Sequence, residues 1–103
     1  MQLSDYQNQA MTYRLPSAGV MYAQLGLSGE VGELHSLMAK GLRDRDGVVD
    51  MTLVKKELGD ILWFVAAIAA DYGFGLDEIA QMNLEKLNSR KNRNKIQGSG
   101  DDR

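Results

Sequence analysis

Ten consecutive residues, Ile61–Ala70 (ILWFVAAIAA), constrain this chain more than any other stretch. As a helix they are apolar all the way round, and such a helix must be buried on most of its faces. Their length is half of the roughly 20 residues that a membrane-spanning helix needs, so the segment belongs in a bundle core or a subunit contact. With 103 residues the chain has room for one domain and one modest core. A helix buried on every side therefore implies that subunits complete the core together, and a homo-oligomer is expected.

The rest of the chain reads as helices around that segment. The only proline, Pro16, separates a polar helix over about Leu3–Tyr13 from a second over Ala18–Leu42, where Leu27, Val31, Leu34 and Met38 form one apolar stripe. Gly26, Gly29 and Gly32 interrupt it. Each costs up to about 1 kcal/mol relative to alanine, which close approach of another backbone or a ligand offsets. The composition of Gly41–Asp50 is that of a loop. A third helix follows over Met51–Tyr72, with Val54, Leu58, Ile61, Val65 and Ile68 as its stripe. Gly73 and Gly75 end it, and Asp77 is placed to cap a fourth helix over Glu78–Arg90. No alternating strand pattern persists, so the expected architecture is all-α, a four-helix bundle, with residues 91–103 as a basic, glycine-containing tail.

Charge and composition exclude several classes of function. Cysteine is absent, which removes disulfides and thiolate metal sites. The polar opening MQLSDYQNQAMTYR has no apolar core of a secretory signal, so a soluble cytoplasmic protein without membrane contact is expected. A net charge of −2 gives no bulk attraction to nucleic acid, and no aromatic residue is interleaved with the basic tail as a stacking platform requires. No stable nucleic-acid complex is expected.

The remaining signal is a pair of carboxylate motifs, GLSGEVGEL at Gly26–Leu34 and KELGDILWF at Lys56–Phe64. At about 100° per residue, Glu30 and Glu33 lie about 60° apart on their helix, as do Glu57 and Asp60 on theirs. A short loop between the two helices favours antiparallel packing, which lets the pairs face each other at the core's edge. Crowded, partly desolvated carboxylates require raised pKa values or a cation. Mg²⁺, with Mn²⁺ as a substitute, suits an all-oxygen donor set; a lone His35 and no cysteine argue against zinc. A di-iron bundle needs Glu-x-x-His, and His35 stands two residues after Glu33.

These two motifs, with 23 residues between Glu33 and Glu57, resemble the E-x-x-E and E-x-x-D signature of MazG-like nucleotide pyrophosphohydrolases in the all-α NTP pyrophosphatase superfamily. NLEKLNSR, Asn83–Arg90, resembles the family's downstream segment, and RNKIQGSGDDR is similar to the closing segment of its short phage and mobile-element members. The resemblance implies Mg²⁺-dependent hydrolysis of a nucleoside triphosphate, a deoxynucleotide or a noncanonical one, to the monophosphate and pyrophosphate. It makes Glu30, Glu33, Glu57 and Asp60 the metal ligands, one glutamate of the first pair polarising the attacking water. Asn83 and Lys86 would contact phosphate or sugar. It also implies a dimer or tetramer with sites near the subunit contacts.

Other residues are weaker candidates. Arg90 and Arg103, with Arg93 and Lys95, could fold back over a triphosphate or belong to a solvated terminus. Trp63 and Tyr22 either line a base pocket or pack in the core, the commoner fate of such aromatics. His35, Lys40, Lys55 and Lys56 read as surface residues and Phe64 as packing. The competing reading is a catalytically silent helical oligomerisation or partner-binding module, which leaves four intact carboxylates unexplained.

Overall fold

The structure, a computed structural model describing residues 1–103, consists of four helices and no strands. They are α1 (Leu3–Met11), α2 (Val20–Asp44), α3 (Met51–Asp71) and α4 (Leu76–Asn92). The all-α expectation holds, with shifted ends. Gly41, read as the start of a loop, lies inside α2, and α1 stops at Met11 rather than Tyr13. The Asp50 side chain caps α3 by accepting from the Thr52 N–H at 2.8 Å.

Helices α2 and α3 pack along each other, α1 crosses α3, and α4 packs on α1 after turning 102° from α3. That turn is chemically specified. Gly73 takes φ +75°, its N–H donates to the Ala70 carbonyl at 3.0 Å, and the Phe74 N–H donates to Ala69 at 2.8 Å. These two bonds close α3 in the manner glycine permits at a helix end. Helix α4 then begins at Leu76, two residues before the expected Glu78, with Gly75 rather than Asp77 at the cap position. The reason is tertiary: the buried Gln7 side chain of α1 accepts from the Leu76 N–H at 2.9 Å and donates to Phe74 O at 3.1 Å and Ala66 O at 3.3 Å. An acceptor from 69 residues upstream replaces the local cap.

The core is small and built from alanines. Ala23 of α2 meets Phe64 and Ala67 of α3, while Ala66, Ala69 and Leu76 form a second cluster with Tyr6 and Met11 around it. The two apolar stripes read from the sequence are only part-buried in the single chain. None of Leu27, Val31, Leu34, Met38, Val54, Leu58, Ile61, Val65 and Ile68 is fully buried: Leu27, Val65 and Ile68 pack on the edges of the alanine clusters, while Met38 and Leu58 are exposed. Only ten of 103 residues are buried. The radius of gyration is 16.6 Å, against roughly 13 Å for a compact domain of this length. No single helix is long and apolar enough to cross a membrane.

Candidate metal centre

The register of α2 against α3 sets the site. A Cβ built on Gly26 would clash with Phe64 Cε1, so the ring packs directly on the α2 backbone. One turn further along α2 stands Glu30, and one turn back along α3 stands Asp60. Glu57 adds a second carboxylate from α3, one turn before Asp60. Ligand oxygens of Glu30, Glu57 and Asp60 all lie within 4.8 Å of one another. None of the three forms an ion pair with a basic side chain.

The electrostatics of this trio disfavour three free carboxylates at once. Burial first, and then the negative charges of Asp60, Glu57 and Glu33, push the Glu30 carboxyl above its usual range, with the adjacent Glu57 oxygen adding to the effect. Burial and the Asp60 charge likewise raise the Tyr6 phenol. Glu57 Oε2 is buried with no hydrogen-bond partner. A carboxylate oxygen withdrawn from water and facing two more carboxylates is costly unless a cation, or a proton held on Glu30, meets it. The residues therefore fit a hard divalent ion, with Glu30, Glu57 and Asp60 as its oxygen donors. Glu33 stands outside the trio: it is exposed and lines a second cavity with Glu30, Tyr22, Leu25, Gly26, Gly29 and Phe64.

A cavity of about 460 Å³ opens beside Glu30 and Asp60. It is lined by Trp63 and Phe64 of α3, by Tyr22 of α2, and by Tyr13, Leu15, Ser17 and Ala18 of the connection between α1 and α2. The Trp63 indole N–H donates to the Ala10 carbonyl at 3.1 Å, and its ring meets Phe64 edge-on at 5.1 Å, so its plane is fixed. Phe64 belongs to the core, and His35, Lys40, Lys55 and Lys56 are exposed. Gly29 and Gly32 face open space in the single chain; of the four α2 glycines, Gly26 is required by the contact with Phe64 and Gly41 by the close approach of Val48 and Val49.

Asn83, Lys86, Arg90 and Arg103 line neither cavity that borders the carboxylates. The tail does fold back, but onto α4 and itself. Lys86 Nζ and Arg90 Nη2 reach Asp101 Oδ1 at 2.6 and 3.1 Å, Arg90 also donates to the Asp101 carbonyl, and Arg103 donates to the carbonyls of Lys95, Ile96 and Gly100. Sequence reasoning missed the Tyr13–Ala18 wall. Its signal was an aromatic and a leucine flanking Arg14 just before the only proline, in a segment that otherwise reads as a connection.

Residues 22–94 match the family described as the MazG nucleotide pyrophosphohydrolase domain. The chain belongs to that family. The match takes in all four motif carboxylates, so the trio is the part of the MazG domain where α2 and α3 meet. The chain is also 46% identical over 88 residues to the gene 37 protein of Mycobacterium phage L5, a span of 82% of this chain and 77% of the relative. No solved structure matches the chain. MazG membership agrees with the resemblance drawn from the two carboxylate motifs.

Proposed function

We propose that this MazG domain is a metal-dependent nucleoside triphosphate pyrophosphohydrolase that cleaves between the α and β phosphorus atoms, releasing a monophosphate and pyrophosphate. The observation that carries the reading is the buried, unpartnered Glu57 oxygen beside Glu30 and Asp60. A silent oligomerisation module gives no reason to keep such a group, which costs stability in a chain with so little core. A bound Mg²⁺, or Mn²⁺ in its place, would supply charge neutralisation at the phosphate oxygens.

The chain's own residues divide the remaining work. Glu30, Glu57 and Asp60 hold the cation and keep the triphosphate at the mouth of the cavity. Glu33, exposed one turn along from Glu30, takes the proton of the water that attacks the α phosphorus as the bond to the pyrophosphate oxygen breaks. Trp63 and Tyr22, whose rings are inclined to one another, provide aromatic contacts for the base. Lys86, Arg90 and Asn83 of α4 act on substrate only through a rearranged tail or a neighbouring subunit, since in the single chain Lys86 and Arg90 are bound to Asp101.

Assembly belongs to the same proposal. A groove lined entirely by Leu27, Val65, Ile68, Ala69, Tyr72, Phe74 and Ile79 lies open along α3, and Leu25, Leu42 and Met82 are exposed elsewhere. Apolar surface on this scale in so open a chain is buried by a second copy. Small deoxynucleotides or noncanonical nucleotides of the cytoplasmic pool are the proposed substrates. The test is incubation with each common NTP and dNTP, with and without Mg²⁺, and resolution of the products. Monophosphate plus pyrophosphate, only with metal, is expected; diphosphate plus orthophosphate rejects the proposed bond cleavage.

A further inference from the structure

Part of the lining of the cavity beside Glu30 and Asp60 is a connection without a core of its own. Between α1 and α2, residues Tyr13, Leu15, Pro16 and Ser17 are all exposed, so apolar packing does not hold them in place. Arg14 does. Its Nε donates to the Ala18 carbonyl at 2.8 Å and its Nη2 to the Gly19 carbonyl at 3.2 Å, so the side chain grips the far end of the connection to which it belongs. The other edge of the guanidinium faces α3. Nη1 and Nη2 donate to the two oxygens of Asp71 at 2.8 and 3.0 Å, and Nη1 reaches the Ala67 carbonyl at 3.4 Å.

Both side chains of this pair are 14% exposed. A two-pronged arginine–carboxylate pair shielded from water fixes orientation as well as distance, which a lysine or an exposed pair does not. Asp71 is the last residue of α3, the helix that carries Trp63 and Phe64 into the lining of the same cavity. One ion pair thus ties the irregular part of the lining to the helical part. Neither Arg14 nor Asp71 lines the cavity, and Asp71 is outside the carboxylate trio.

We infer that the Arg14–Asp71 clasp sets the base selectivity of the site, by holding the Tyr13–Ala18 connection against a planar heterocyclic ring that enters the cavity beside Trp63 and Tyr22. This rests on the nucleotide pyrophosphohydrolase reading. The cavity's size falls within the range of small-ligand sites. Its carboxylate end accounts for the phosphates and its aromatic end for the ring, leaving the Ser17 hydroxyl as a polar group able to distinguish ring edges. Arg14 and Asp71 are positioning residues: they touch no substrate, and their loss blurs the fit of the ring without altering the cation-binding end.

Steady-state kinetics with Mg²⁺ over the common NTPs and dNTPs, plus an abasic deoxyribose triphosphate, test this on the full chain and on Asp71→Asn, Asp71→Glu and Ser17→Ala. For Asp71→Asn, KM for the preferred nucleotide rises about tenfold with kcat changed less than about twofold, the mark of lost binding common to ground and transition states. The ranking among bases flattens, the abasic substrate is handled as by the parent, and Asp71→Glu recovers most of the ranking. Ser17→Ala, on an exposed connection, reorders the bases and decides the matter if Asp71→Asn does not fold. An equal loss of kcat on every substrate, the abasic one included, makes the clasp merely structural and overturns the inference. So does an unchanged base ranking in both Asp71→Asn and Ser17→Ala. An active parent with that result leaves the pyrophosphohydrolase reading intact, whereas a parent that hydrolyses no nucleotide overturns both.

Discussion

Gly26 packs directly against the ring of Phe64, one turn from Glu30 on its own helix and one turn from Asp60 on the other. This contact lets α2 and α3 approach closely enough for carboxylates from both to share one place. Gly26→Ala must push the ring or the helix away, and overpacking of this kind costs about 1–3 kcal/mol. Gly32→Ala adds a methyl that meets nothing in the chain and gains up to about 1 kcal/mol of helix propensity. Urea denaturation of the two variants measures the contrast; equal stabilities would refute the close approach.

Gln7 ties three elements together through one amide, serving Leu76, Phe74 and Ala66. Gln7→Ala strands backbone groups at the start of α4 and should destabilise the fold by about 2–4 kcal/mol. Hydrogen exchange should show the loss first at the Leu76 amide. Protection there equal to the parent's would mean that the cap is local after all.

Trp63 is the sole tryptophan, fixed by its bond to Ala10 and lining the cavity beside Asp60. Its fluorescence should change on addition of a nucleoside triphosphate with Mg²⁺, and much less with either alone. Asp60→Asn should remove the response. A signal indifferent to both metal and Asp60 would separate the aromatic wall from the carboxylates.

Asp101 should make tail docking pH-dependent. Hydrogen bonding by Lys86 first, and by Arg90 second, holds its carboxyl below the ordinary range. A carboxyl with a lowered native pKa stabilises the docked tail above its unfolded value and loses that contribution as pH falls through the native one. The tail should therefore be docked near neutral pH and released on acidification below the usual carboxylate range. Added salt should weaken the same exposed pair. Amide chemical shifts of Gly98 and Gly100 report it, with Asp101→Asn as the released state; shifts identical in the parent and Asp101→Asn at neutral pH would refute docking through this side chain.

Much of this architecture is legible in the letters because helices signal themselves locally. The break at Pro16, the loop composition before Met51 and the glycines after Asp71 locate all four helices to within two residues at either end. What caps α4 is not legible, since the acceptor comes from Gln7, distant in sequence. The two apolar stripes mislead about the single chain for a related reason: periodicity identifies apolar faces but not which neighbour covers them. Small residues, Ala23, Ala66, Ala67 and Ala69, form the intrachain core and leave the larger ones partly exposed. The carboxylate motifs are visible as spacing, yet the orphaned Glu57 oxygen and the wall held by Arg14 exist only in three dimensions.

Calorimetric titration of Mn²⁺ into the parent and Glu57→Gln, with turnover and melting temperature measured on the same samples, decides whether Glu57 holds a cation. Saturable binding by the parent, at least about tenfold weaker binding by the variant, and loss of its pyrophosphate release are expected. Without metal the variant should melt no lower than the parent, because a buried unpartnered charge has been removed. Unchanged metal affinity and unchanged turnover in Glu57→Gln would contradict that role.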